Sequence, residues 1–128
     1  KQMHRKRGLW DSNLYDLQGL YGFEYGMSKR DRLIHGQTVM THAMLFTGVD
    51  VVDGSPRRWR VENSWGTKES GDKGFFTMND NWFDDYMFEI ASPSSKLSEE
   101  MRKGLETSAT MLPAWDPMGS LARRGPLF

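Results

Sequence analysis

The longest mostly apolar stretch runs from Val39 to Val52 (VMTHAMLFTGVDVV), carries β-branched side chains and ends at the turn formers Asp53-Gly54-Ser55-Pro56. It predicts a strand entering a turn. Arg57 to Asn63 (RRWRVEN) alternates, so that Trp59, Val61 and Asn63 share one face, and predicts a second strand closing a hairpin. After a polar, glycine-containing loop from Thr67 to Lys73, Gly74 to Met78 (GFFTM) predicts a third strand. Asn79 or Asp80 would cap a short acidic helix through Asp84 and Asp85, and Met87-Phe88-Glu89-Ile90 a fourth strand. Ahead of the hairpin, Leu9 to Gly36 is rich in aromatics and glycine without a helical period, which predicts loops with one short strand.

Beyond a linker at Ser92 to Ser95, Ser98 is a candidate N-cap, with Glu99 and Glu100 in the first turn and Met101, Leu105 and Ala109 on one side of a short helix. Pro113 is expected to stop it. Because Pro113 and Pro117 remove donors and fix φ, the stretch from Ala114 to Gly119 cannot be helical throughout, and the tail is expected to be extended. The succession favours an α+β arrangement: an antiparallel or barrel-like sheet with short helices. Four segments follow: a basic start (1–8), a β-rich part (9–91), a linker with a helix (92–111) and a tail (112–128).

Composition narrows the chemistry. The 128 residues carry 17 Lys+Arg against 17 Asp+Glu, and aromatics reach 12%, which argues for a folded chain. Four of the first seven residues (KQMHRKR) are Lys or Arg, the mark of a solvated tail or of a segment cut from its context. Nucleic-acid binding is not expected, because acids balance bases over the whole chain. No apolar run approaches the ~18 residues of a membrane span, and no charged-then-apolar leader opens the sequence, so the expected setting is soluble and intracellular. There is no Cys, which excludes disulfides, zinc-thiolate sites and a thiol nucleophile within these residues. The three His are scattered without clustered acids, so neither a metal nor an organic cofactor is expected.

Histidine is the side chain whose ordinary pKa lies nearest neutrality. His4 and His35 stand in polar, basic surroundings and read as surface residues. His42 lies in the apolar run, where a buried imidazole needs a hydrogen-bond partner, and a satisfied core histidine is the plain reading. If the hairpin turns near residues 53–56, Asn63 falls opposite a residue close to 45, within a few positions of His42. Asn63 could then accept a ring N–H and orient the imidazole toward a nucleophile, as in a Cys-His-Asn set. It could equally cap a strand end.

Asn63-Ser64-Trp65-Gly66 after a strand, with a His some twenty residues earlier, resembles the Asn and His segments of papain-like cysteine peptidases. MTHAMLFTGVD (40–50), WRVENSWG (59–66), GDKGFFTMNDNWFDDYMFEI (71–90) and LPAWDPMGSLA (112–122) together resemble the bleomycin hydrolase family, cytosolic cysteine aminopeptidases, in that family's order and spacing.

The resemblance implies a papain-like fold, of which this chain would be the C-terminal, sheet-rich half. It implies His42 as general base and acid, Asn63 as its orienting partner and Trp65 as the shield of their contact. It further implies a peptide or amide substrate, a cytoplasmic setting, a helical half carrying the Cys as the missing partner, and a hexameric homo-oligomer when complete. The family's nucleophile and the Gln of its oxyanion hole lie N-terminal to anything resembling this chain. Either these residues are the C-terminal part of a longer enzyme, the expectation adopted here, or they are an inactive remnant serving as a binding or assembly module. In the family an extended tail enters the cleft and its carboxylate pairs with the substrate's amino group. Leu121 and Ala122 match that tail, but Arg123 to Phe128 continue beyond it and would displace the carboxylate.

Overall fold

Asp53 and Gly54 take φ of 51° and 79°, so both central residues of the hairpin turn are left-handed, the two-residue turn whose twist suits flanking strands. Gly has no Cβ penalty there, and the short polar side chain of Asp tolerates it. The turn is therefore tighter than the sequence suggests, since Ser55 and Pro56 already pair with Val52 and Val51. Pro56 fits because the ladder is irregular between Asp50 and Val51.

The computed structural model describes residues 2–122 apart from Tyr25 and Glu69, and it divides into two units. The first comprises Lys1–Asp31 and Thr41–Met87, the second Arg32–Met40 and Phe88–Phe128. The first unit holds a five-stranded sheet of β1 (Met3–His4), β2 (Leu9–Trp10), β3 (Leu45–Val52), β4 (Ser55–Glu62) and β5 (Phe75–Asn79), in the order β1-β2-β5-β4-β3. Three pairings are antiparallel and β2 with β5 is parallel, so the sheet is mixed where an antiparallel one was expected. With the short helices this is an α+β fold.

On the inner face Trp59 pairs with Met78 and Val61 with Phe76. Val61, Phe76, Met78 and Trp10 form the core, flanked by Phe46, Trp65, Trp82 and Phe83. Trp10 stacks on Trp82 at 5.1 Å between ring centroids, and Trp59 on Phe83 at 4.8 Å. Besides α1 (Leu17–Tyr21), the unit contains α3 (Asp80–Tyr86), and the division between units falls within α2 (Lys29–Ile34). Asn79 occupies the N-cap of α3 without a side-chain capping hydrogen bond, and its amide nitrogen donates to Asp11 Oδ2. Asn81 donates to Asp11 Oδ1 and Ser12 Oγ to Asp85 Oδ2, tying the end of β2 to α3. Burial pushes the Asp11 carboxyl up, but donors from Asn81, the Asn13 backbone and Asn79 outweigh it and hold it below the ordinary 3.8.

Several expectations are corrected. The strand foreseen from Val39 begins only at Leu45, whose partner Glu62 is the last residue of β4, so among the described residues nothing earlier has a strand to pair with. Met87 to Ile90 forms no strand, for the same want of a partner among the described residues. The basic start is no solvated tail: Met3 and His4 pair with Trp10 and Leu9, and residues 5–8 are the turn between them. Leu9 to Gly36 contains two helices too short for a 3.6-residue period to show.

In the second unit, α4 (Glu99–Gly104) is capped as its sequence predicts, Ser98 Oγ accepting from the Met101 N–H at 3.2 Å. It ends at Gly104, well short of Pro113, and Ala109 lies outside it. The tail is irregular near Pro113 and then forms a 3-10 helix over Pro117–Ala122, where proline needs no N–H in the first turn and Asp116 Oδ1 accepts from the Met118 N–H. Residues 123–128 lie outside the described residues.

Candidate active site

The hairpin register decides where Asn63 stands. Leu45 faces Glu62, so Asn63, one step beyond, comes level with the segment leading into β3 that carries His42. Outside the ladder, His42 is released from the alternation that would fix its side chain to one face of the sheet, and it is solvent-exposed. Asn63 is only 8% exposed and stays on the inner face with Trp59 and Val61. Its N–H donates to the Gly74 carbonyl at 3.0 Å. Gly74 has φ +95°, and a Cβ there would stand 3.2 Å from the Gly66 carbonyl, so the loop returning to β5 closes against the Asn63-Ser64-Trp65-Gly66 turn only with glycine.

His42 Nε2 lies 2.8 Å from Asn63 Oδ1, and the Ser64 N–H donates to the same oxygen at 2.8 Å. The second bond fixes the amide's orientation, because a backbone N–H requires an acceptor opposite it. A carbonyl oxygen only accepts, so Nε2 carries the hydrogen and Nδ1 keeps its lone pair. The pair thus leaves an imidazole whose Nδ1 is chemically able to accept a proton. The Trp65 indole stacks on the His42 ring at 5.1 Å between centroids and 23° between planes, and Phe76 meets Trp65 edge-on at 5.8 Å. This packing covers part of the His–Asn contact with apolar surface.

The structure therefore brings His42, Asn63 and Trp65 together, while Leu121 and Ala122 belong to the second unit. There Leu121 is buried and its carbonyl accepts from the Met40 N–H at 3.3 Å, and the Ala122 backbone ends the 3-10 helix. Sequence reasoning missed Arg5, whose Cζ lies over the Trp65 ring at 5.1 Å from its centroid. Nothing in a run of Lys and Arg distinguishes the one that meets an aromatic face. It also missed Gly74, legible only once the turn it packs against is known. Asn63 Nδ2 is buried without a partner among the described residues. The described residues contain no group of three or more potential metal ligands. A shallow depression of about 370 Å³ lies on β3 to β5, lined by Gly48, Arg58, Arg60, Phe75 and Thr77 among others. Neither His42 nor Asn63 lines it.

The Peptidase C1-like family model matches residues 1–119. Aminopeptidase C of Lactobacillus helveticus is 44% identical over 126 residues, covering 95% of this chain and 28% of that protein. Human bleomycin hydrolase is 45% identical over 126 residues, again covering 95% of this chain and 28% of the relative. Among solved structures, PepW from Lactobacillus rhamnosis superposes with a TM-score of 0.82 at 40% identity, covering 93% of this chain and 27% of that one. The chain thus spans little more than a quarter of the length of the relatives it matches.

Proposed function

The chain belongs to the Peptidase C1-like family, and from that premise we propose that it is the His–Asn-bearing part of a cysteine-type aminopeptidase whose nucleophile lies outside these 128 residues. The observation that carries the reading is the 2.8 Å contact of His42 Nε2 with Asn63 Oδ1 beneath Trp65.

The reaction follows from the tautomer. Nδ1 accepts the proton of a cysteine thiol, and the resulting imidazolium and thiolate stabilise each other. The thiolate sulfur attacks the carbonyl carbon of a peptide or amide bond, and Nδ1–H passes its proton to the departing amine as the C–N bond breaks. Water, losing a proton to Nδ1, then attacks the thioester, releasing the carboxylic acid and regenerating the thiol. Through both halves Asn63 Oδ1 holds Nε2–H, so the ring neither flips nor exchanges tautomer.

The partners belong to the same proposal: a peptide or amide substrate, the remainder of the polypeptide supplying the Cys, a homo-oligomeric ring and a cytoplasmic setting. Among the described residues, no helix is long and apolar enough to cross a membrane. For Leu121 and Ala122 the support is the resemblance of their segment alone. On it, trimming the complete enzyme back to Ala122 is expected to raise the preference for substrates with a free amino terminus.

The test is hydrolysis of an aminoacyl amide by the complete polypeptide before and after alkylation with iodoacetamide. Turnover that disappears on alkylation is expected. No turnover, or turnover indifferent to alkylation, would contradict the reading.

A further inference from the structure

Trp65 touches more than the imidazole it stacks on. The guanidinium of Arg5, at the tip of the β1–β2 turn, lies over the indole at 5.1 Å. That turn is itself docked: the Arg5 carbonyl accepts from the N–H groups of Gly8 at 3.1 Å and Gly71 at 3.0 Å, and the Gly8 carbonyl from the Thr77 N–H at 2.7 Å. A Cβ on Gly8 would come within 2.5 Å of the Gly71 Cα, so the two backbones meet as closely as glycine permits. Arg5 therefore reaches Trp65 from a backbone anchored to the loop that follows the Asn63-Ser64-Trp65-Gly66 turn.

We propose that Arg5 is a positioning residue for His42, acting through Trp65. A cation over an indole is attracted by the ring's quadrupole, and Trp65, half-buried at the margin of the core, has among the described residues only Phe76 as a neighbouring aromatic besides the imidazole. Holding the indole narrows the positions open to the ring stacked on it. A base that must serve both halves of the reaction gains from that restriction, because each proton transfer needs Nδ1 within hydrogen-bond reach of the reacting group. Because Arg5 acts through the Trp65 indole, its effect is expected to fall on turnover and not on binding.

The inference rests on the peptidase reading, and the experiment separates the two. In the complete polypeptide, Arg5→Ala is expected to lower kcat about two- to fivefold, the range of an exposed cation–π contact, with KM unchanged. Arg5→Lys, which keeps the cation, recovers most of the loss, and in a Trp65→Leu background Arg5→Ala has no further effect. An unchanged kcat, or a fall that persists undiminished in the Trp65→Leu background, overturns the inference. Should Arg5→Ala fail to fold, Arg5→Gln, which keeps the stem and removes the charge, is read against the same outcomes. An inactive unsubstituted polypeptide would instead overturn the peptidase reading and this inference with it.

Discussion

The Asn63 side-chain oxygen accepts from both His42 Nε2 and the Ser64 N–H, while its own N–H is held by Gly74. Truncation to alanine removes the acceptor that, in the proposed reaction, holds the imidazolium. A hydrogen bond to a charged group is worth about 1.5–3 kcal/mol, so Asn63→Ala in the complete polypeptide is expected to lower kcat about ten- to hundredfold with KM little changed. Steady-state kinetics check this, and an undiminished kcat would show that the ring is held by something else. At this scale the geometry of the candidate site was largely legible. The alternation of RRWRVEN puts Asn63 on the inner face, and the turn at Asp53-Gly54 brings it level with the His42 segment. The choice between an orienting amide and a strand-end cap was not legible from spacing, because both need the same residue at the same place. Arg5 could not be found at all, since its partner lies across the fold.

Among the elements, the hairpin and α4 were readable because each carries its own signal: turn formers after a β-branched run, and Ser98 before two acids. The fourth strand and the early start of β3 were misread because a strand exists only where a neighbour pairs it, and local sequence does not record neighbours. Two glycines test how the elements join. A Cβ on Gly71 would stand 2.1 Å from the Phe75 carbonyl, whereas one on Gly54 would meet nothing within 4 Å. Both have positive φ, so each alanine carries about 1–2 kcal/mol of left-handed strain, but Gly71→Ala must also displace backbone. Chemical denaturation should rank Gly71→Ala as the more destabilising; equal effects would mean that the loop at Gly71 is not closed against the Phe75 carbonyl.

The Asp11 network makes a pH-dependent prediction at the same scale. Its folded carboxyl titrates below the ordinary 3.8, so the stabilisation is present above that value and is lost as pH falls through the lower folded one. Asp11 is partly exposed, and Asp11→Asn is expected to cost about 1 kcal/mol or less at pH 7. The gap from the unsubstituted protein should close in acid. A difference that stays constant from neutral to acid pH would assign the effect to something other than the carboxylate.

For the whole molecule, the edge strand β3 leaves Leu45 61% and Val51 52% exposed, with Asp50 its only charge. An unguarded apolar edge pairs readily with another chain, so the 128-residue chain by itself is expected to self-associate. Sedimentation velocity checks this, and a strictly monomeric species at tens of micromolar would contradict it. The same incompleteness appears in the chemistry. These residues amount to 28% of the relatives' length, and they contain the proposed base and its proposed partner but no thiol. The central claim is that His42, held by Asn63, is the proton carrier of a cysteine peptidase. It is tested most directly by the kcat of the complete polypeptide carrying His42→Ala. Loss of a member of such a catalytic set typically costs about a thousandfold or more, and that loss, with the protein still folded, is the result expected. Activity within about tenfold of the unsubstituted enzyme would leave the His42–Asn63 contact without the role assigned to it.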